Sequence, residues 1–590
     1  MNHGMRFGPR PAPGGGFEFR LWAPAAKSVE IVTSRVTAMA GGGNGWFSAT
    51  LSDAHAGTSY KFRIDGQIDV PDPASAYQPD DVSGPSEIID HRFDWKAVDW
   101  RGRPWHEAVI LELHVGTFTP QGTFRAAIER LDQVLDTGFT AIELMPVADF
   151  AGRWNWGYDG VLWFAPDSAY GRPDDLRALI DGAHRRGLMV FLDVVYNHFG
   201  PEGNYLARYA PSFFAADTHT PWGSAIDFDV PEVRAFVVEN ALHWLRHYRF
   251  DGLRLDAVHA IVKPGTPSIL EEISKAVGRF AREEGRMLHL VLENDNNESQ
   301  WLDPRLDPPN GKYRAQWNDD FHHAWHVLLT GEKAGYYQDY ASRPLNDIAR
   351  ILKSGFGYQG EPSAHRGGAR RGQPSGGLPP TAFVSFLQNH DQIGNRAYGE
   401  RLDALARPAA IEAALAIMLL SPMPPMLFMG EEWAEHRPFP FFCDFQGQLA
   451  DAVRQGRRRE FEAAYAAAAQ GERSPPDPLS KQTFLDAKID WDERNTPSSA
   501  KRLDLVRRLL KCRAEFVTPR LARLDDWSAD ACVDATLLSA WWRLDGGVLH
   551  CKANLGDRSQ RADPPPGKTI WGGVPEQFLP PWSTTWTLED

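Results

Sequence analysis

The sequence predicts an α/β fold: a (β/α)8 TIM barrel with an N-terminal β-sandwich before it and a small C-terminal β-domain after it. Three observations carry this. Between residues 96 and 516, eight short apolar runs ending in polar or charged residues alternate with stretches of helical period, as successive βα units do. Residues 1–95 and 517–590 instead hold short alternating runs divided by turn-forming residues, as antiparallel sheets do. Finally, 590 residues exceed what one hydrophobic core holds, so three domains are expected with those boundaries.

In order along the chain, Phe17-Glu-Phe-Arg-Leu-Trp22, residues 29–33, Trp46-Phe-Ser-Ala-Thr-Leu51 and Tyr60-Lys-Phe-Arg-Ile64 are the sandwich strands. Pro24, the Gly41-Gly-Gly-Asn-Gly45 run and Asp65-Gly66 supply the turns. Trp22, Trp46 and Tyr60 read as core aromatics. Polar residues 94–104 make the linker. Barrel strands are predicted at 109–114, 141–145, 188–193, 252–256, 289–293, 313–317, 381–387 and 426–429. Helices at 123–137, 176–186, 233–247, 320–330 and 409–420 lie between them, and 499–516 closes the barrel. Three segments interrupt the repeat. Residues 148–166 are crowded with Trp154, Trp156, Tyr158 and Trp163. Residues 355–380, rich in Gly, Pro and Arg, make a loop at the barrel mouth, and 450–470 make a solvated helix. The C-terminal strands fall at 536–544, 548–553 and 584–588.

Composition narrows the function classes. Hydrophobic residues are 43% and charged residues 24%, ordinary for a folded soluble protein. With 63 Lys and Arg against 77 Asp and Glu the net charge is −14, which argues against nucleic-acid and acidic-membrane partners. Four cysteines without CxxC pairing fit a reducing compartment and no structural zinc. No apolar core flanked by basic residues opens the chain, and no run approaches a membrane span, so a cytoplasmic protein is expected. The 21 tryptophans suit a sugar-binding cleft, since one indole face can be dry and the other wet.

The chemistry gathers at strand ends. Asp193 ends the third strand, Asp256 the fourth and Glu293 the fifth, and Asp391 follows the seventh. A barrel brings these ends to one face. Each acid alone fits a salt bridge, and Asp256 beside Arg254 fits a structural ion pair. Four together, with Arg254, His198, His259 and His390 beside them, fit catalysis. Arg254 would keep Asp256 ionised, as a carboxylate nucleophile requires. Crowded acids do not all stay ionised, which lets one donate a proton while its neighbour attacks. HxH and HExxH spacings are lacking, so no catalytic metal and no cofactor are expected.

Asp193-Val-Val-Tyr-Asn-His198, Gly252-Leu-Arg-Leu-Asp256, Glu293-Asn-Asp295 and Gln388-Asn-His-Asp391 resemble the four ordered motifs of the α-amylase superfamily of glycoside hydrolases. The resemblance implies Asp256 as nucleophile, Glu293 as general acid/base and Asp391 as the carboxylate that stabilises the distorted sugar. It implies that Arg254 supports the nucleophile, that His198 and His390 bond the sugar in subsite −1, and that Tyr158 is the platform beneath it. Asp193 and His259 join the substrate-binding set at the rim. Among the loop tryptophans Trp154, Trp156, Trp222, Trp317 and Trp433, stacking on sugar faces is expected first of Trp222 and Trp317. Asn197 matches a residue that often touches calcium, but the acids of such a site are missing, so no metal is expected.

Three branches of the superfamily compete. Gly157-Tyr-Asp-Gly160 with Phe164-Ala-Pro166 is shared with glycogen branching enzymes, whereas Leu292-Glu-Asn-Asp-Asn-Asn297 departs from them. Gln316-Trp-Asn-Asp-Asp-Phe-His-His323, Glu361-Pro-Ser363, Arg366-Gly367 and the run 388–396 resemble the trehalose-releasing hydrolases. That resemblance implies maltooligosyl trehalose and maltooligosaccharides as substrates. It puts the plus subsites in the loops carrying Ala260, His322, His323, Glu361 and Gln392. The alternatives are a branching enzyme, a general α-amylase, and a non-catalytic glucan-binding scaffold. The oligomeric state is not legible in the sequence.

Overall fold

The computed structural model describes every residue except 1–4, 221–222, 262–267, 472 and 574–576, and omits the side chains of 216–220. Its centre is a barrel of eight parallel strands: β1 (Ile110–Leu113), β2 (Ala141–Leu144), β3 (Met189–Val194), β4 (Gly252–Leu255), β5 (His289–Leu292), β6 (Ala315–Trp317), β7 (Phe383–Val384) and β8 (Met426–Phe428). They neighbour one another in chain order, and β8 returns to β1. A single bridge closes the ring between β7 and β8: the Ser385 N–H donates to Pro424 O at 2.9 Å and Met426 N–H to Ser385 O at 2.8 Å.

Strand alternation sorts the side chains. Leu111, Leu113, Ile142, Leu144, Val190, Leu192, Leu253 and Leu255 point outward into the helix layer. Inward, Ile110, Ala141, Met189, Phe191, Val291, Ala315 and Met426 form a dry lower layer stoppered by Trp105 and Ala108. Above it the inward positions turn polar: Glu112, Glu143, Asp193 and Arg254, all buried. One face of every strand thus holds the fold and the upper rungs of the other hold charge.

The helices follow ordinary capping chemistry. Ile269–Glu284 starts where the Ser268 side chain accepts from Leu270 N–H and stops at Gly285, φ +62°. It buries Ile269, Ile273, Ala276, Val277 and Phe280 as one stripe. Pro408–Leu420 is apolar nearly all round and correspondingly buried. Arg513, wholly enclosed, ties the end of this helix to the segment that follows, donating to Leu419 O, Ser421 O and Met423 O at 2.5–3.1 Å.

The amino-terminal strands form a four-stranded sheet including Phe17–Trp22 and Trp46–Leu51, and a second built on Ser59–Ile64. Trp22 and Tyr60 are core, while Trp46 is half-buried with the Arg20 guanidinium 4.6 Å from its ring. The module docks on the barrel through Phe7, edge-on to Phe236 at 5.0 Å, and Trp22 against Phe213 at 5.6 Å. The carboxyl-terminal module is a five-stranded antiparallel sheet from Ser528–Asp534 to Ser583–Glu589, tied to the barrel where Trp542 Nε1 donates to Leu352 O.

Several boundaries differ from expectation. Strand seven shortens to two residues because Pro380–Ala382 winds into a 3-10 turn before it. The helix expected over 123–137 breaks into Phe124–Ile128 and Leu131–Thr137, and the one over 450–470 breaks at Phe461. Among the described residues no helix is long and apolar enough to cross a membrane.

Candidate active site

The site grows from β4. Gly252 begins it because a Cβ there would meet His289 O at 2.2 Å and the Phe191 ring at 2.8 Å, so only glycine lets β3, β4 and β5 close up. That register sets Asp193 and Arg254 side by side. Arg254, with no exposed surface, donates from one nitrogen to both Asp193 oxygens at 2.8 and 2.9 Å and to Asp256 Oδ1 at 2.7 Å. Asn197 Nδ2 adds a bond to Asp256 Oδ2 at 3.0 Å. Both oxygens of Asp256 are therefore fixed by donors, and the charge it faces is positive.

After Asp256 the chain turns sharply: Ala257 sits at φ +44°, a strained conformation for a residue with a Cβ. The turn aims the Ala257 N–H at Glu293 Oε2, 2.6 Å away. Glu293 arrives from the end of β5, 3.9 Å from Arg254. Its carboxyl is held well above the usual range, first by burial. Asp256, Asp319 and Asp391 add to this against the opposing pull of Arg254. One carboxylate is thus bound by cation and amide donors, while its neighbour is pushed toward holding a proton.

Past β7, Asn389 caps the short helix His390–Gly394, accepting from Asp391 N–H and Gln392 N–H. The cap presents Asp391, whose side chain is about half exposed. His390 points inward, where its Nδ1 meets Glu112 and its Nε2 lies 3.5 Å from Asp391. Burial alone would depress His390, but the charges of Glu112 and then Asp391 outweigh it and hold the imidazolium up to about 9. Tyr158 stacks on His390 with centroids 5.1 Å apart and donates its hydroxyl to Asp193 Oδ2 at 2.6 Å. Gly157 permits this pose: at φ +106°, a Cβ would lie 2.1 Å from Pro146 O. Asp193 itself is pushed up to about 6 by burial, with Arg254 opposing.

Asp193, Arg254, Asp256, Glu293, His390, Asp391 and Tyr158 therefore meet as one cluster. His198 is buried beside it, with its ring nitrogens turned to Tyr158 O and Asn197 Oδ1. His259 is half-buried at the rim, its Nδ1 accepting from Asp295 N–H. Gln392 is partly exposed and returns its carbonyl to Asn389 N–H. Other expectations need correction. Trp317 is 1% exposed and lies inside the barrel with the Arg254 guanidinium 4.1 Å from its ring centroid, so no sugar reaches it. His322 is equally enclosed, its nitrogens facing Leu387 O and the Tyr337 hydroxyl. It is wall packing and not a sugar contact. Trp156 and Trp433 are also buried, and Trp154 stacks on Phe484. Trp222 lies outside the described residues. Alternation explains the first miss: Trp317 is an inward rung, not a loop residue.

Three carboxylates escaped the sequence reading. Glu112 and Glu143 pair in register on β1 and β2. Burial, then Asp193 and Glu112, raise Glu143 well above the usual range. Each was visible as a lone acid in an otherwise apolar strand. Asp319, just beyond β6, stands between Glu293 and Asp391 electrostatically, and its side chain has no hydrogen-bond or ion-pair partner among the described residues. Burial, then Asp295, push it up to about 7. Its signal was its place after a strand, the same place Asp391 occupies.

Family models match three stretches of the chain: an alpha amylase catalytic domain at residues 92–222, carbohydrate-binding module 48 (isoamylase N-terminal domain) at 6–77, and a domain of unknown function (DUF3459) at 526–586. The malto-oligosyltrehalose trehalohydrolase of Deinococcus radiodurans is 43% identical over 514 residues, 86% of this chain and 83% of that protein. Its namesake from Saccharolobus solfataricus is 41% identical over 511 residues, 85% and 86% of the two chains. A Salmonella typhimurium protein described as a candidate alpha amylase has a crystal structure that superposes with a TM-score of 0.93 at 42% identity, covering 99% of both chains. With identities of 41–43% over 85–86% of its length, the chain belongs to the malto-oligosyltrehalose trehalohydrolase family.

Proposed function

We propose that this protein is a retaining glycoside hydrolase that cleaves the α-1,4-glucosidic bond next to the terminal trehalose of maltooligosyl trehalose, releasing free trehalose. The observation that carries the chemistry is the division of labour between two neighbouring acids. Asp256 is clamped by Arg254 and Asn197, while burial and three other carboxylates push Glu293 toward its protonated form. An anionic nucleophile beside a protonated acid is what double displacement needs.

In the first step an Asp256 oxygen attacks the anomeric carbon while Glu293 gives its proton to the glycosidic oxygen. The C–O bond breaks and trehalose leaves carrying that proton. In the second step Glu293, now a carboxylate, takes a proton from water. The water oxygen attacks the same carbon, Asp256 is released, and the shortened chain keeps its α configuration. Asp391 and the His390 imidazolium flank the −1 sugar, and Tyr158, braced by Asp193, lies beneath it.

Choice of a trehalose leaving group belongs to the cleft beyond Glu293. Asp319 stands on that side, where its charge acts on Glu293, and Arg366 donates to Asp295 and Asn296, with the buried Arg371 behind it bonding the Asp295 carbonyl. Polar walls discriminate strongly, because a wrong sugar leaves buried groups unpaired. The relatives' shared name supports trehalose as the product. The test compares maltotriosyl trehalose with maltopentaose under equal conditions, with products resolved by chromatography. Faster cleavage of the first with trehalose as product is expected. Equal rates would mean a general amylase, and longer branched chains without new reducing ends would mean a branching enzyme.

A further inference from the structure

A cavity of about 330 Å³ opens between the amino-terminal sandwich and the barrel helix Pro231–His247. It shares no residue with the carboxylate cluster. Its polar wall is basic throughout: Arg10 and His91 from the sandwich side, His243, Arg246 and His247 from the helix, and no carboxylate among the described residues that line it. In a chain of net charge −14 such a one-sided lining is not the background.

The hydrogen bonding of this wall is incomplete. The Arg246 guanidinium has no hydrogen bond or ion pair among the described residues and only lies over Phe280 at 5.2 Å. His247 stacks on His91 with centroids 4.0 Å apart, and neither of its ring nitrogens has a hydrogen-bond partner there. Arg177, fully enclosed, donates to His91 Nδ1 at 3.2 Å. An arginine can only donate, so Nδ1 is the acceptor and the ring proton of His91 sits on Nε2, a free donor. His243, 2% exposed, leaves its Nε2 unpartnered. Arg10 shares its charge with Glu18. Burial, then His247 and Arg177, hold His91 well below the usual imidazole range, and burial with Arg246 and Arg177 pushes His247 down to about 4. Cationic and donor groups are thus gathered without their counter-ion.

We infer that this interdomain cavity is a binding site for the phosphate group of a small ligand, held by Arg246, His247 and the Nε2–H of His91 and bridging the sandwich to the barrel. The donors outnumber what one carboxylate accepts and suit the three terminal oxygens of a phosphate, with a guanidinium fork on two of them. Phe7 and Phe164 line the remainder and give an apolar seat for the body of an ester. The volume is at the low end for ligand pockets, which points to a hexose phosphate or free phosphate and not to a nucleotide.

Calorimetric titration of the full chain in phosphate-free buffer, with glucose 6-phosphate, inorganic phosphate and glucose, tests this. Glucose 6-phosphate is expected to bind with a Kd below about 1 mM and glucose far more weakly. Arg246→Gln and His247→Gln should each weaken the phosphate ligand about tenfold or more. Both residues are half-exposed and outside the catalytic cluster, so melting temperature and hydrolysis without phosphate should stay at the wild-type level. Inorganic phosphate binding as tightly as the ester would name free phosphate as the ligand, and tighter ester binding would name the phosphosugar. No binding of either at about 10 mM, or affinities unmoved in both variants, overturns the proposal.

Discussion

The guanidinium carbon of Arg254 lies 4.1 Å from the ring centroid of Trp317. The pair is sealed inside the barrel directly beneath the carboxylates that Arg254 holds, and a cation over a buried indole is worth up to about 2 kcal/mol. Trp317 therefore acts on the reaction from beneath, as the floor under Arg254 and as a neighbour of the His390 ring, whose centroid is 6.1 Å away.

Trp317→Leu should cost about 2–3 kcal/mol of stability through lost packing and the lost cation contact. Because Arg254 loses its seat, kcat should fall while KM for maltooligosyl trehalose changes little. Denaturant unfolding and steady-state kinetics read both. A raised KM with kcat intact would return Trp317 to the role of a sugar-stacking face.

Retention follows from the arrangement of Asp256 and Glu293. The anomeric configuration released, followed by NMR during early turnover, should be α, and a ligand-bound structure should place the two carboxyl groups about 5–5.5 Å apart. Asp256→Asn should abolish turnover and leave saccharide binding largely intact. An initial β product, or substantial activity in that variant, would remove Asp256 as nucleophile.

Glu293 must be protonated to start the reaction, so activity is present below its pKa and lost as pH rises through it. Asp319 contributes to raising that pKa. Asp319→Asn should therefore move the alkaline limb of the kcat/KM profile to lower pH. Since Asp319 also faces the leaving-group side, the preference for trehalose-terminated over plain chains should shrink. An alkaline limb unmoved from wild type would exclude electrostatic coupling between the two acids.

His390 and Glu112 tie strand β1 to the turn after β7. The folded imidazole is held up to about 9, above the ~6.5 of a free histidine. A group raised on folding contributes stability that is fully present below its unfolded pKa and lost as pH climbs through the folded one. Stability should accordingly decline between about pH 6.5 and 9 by up to roughly 3 kcal/mol. Glu112→Gln should flatten that decline. Melting curves across the window measure it, and an identical slope in the variant would assign the pH dependence elsewhere.

The linear chain by itself determined the eight βα repeats, the flanking β-modules and the rim acids Asp193, Asp256, Glu293 and Asp391. Hydrophobic period and turn chemistry are local, and a parallel barrel has only one end where strand-terminal groups converge. It did not determine which residues around those acids face a sugar. Trp317 and His322 lie close in sequence to the rim yet point into the core. Which way a side chain points depends on strand register and on how the ring closes, and both are set by contacts between residues far apart in the chain. The same holds for Glu112 and Glu143, which are unremarkable acids in their strands until closure stacks them beside His390 and Arg254. Only the tertiary structure decided the protonation states, because burial and neighbouring charge, not residue type, move a pKa.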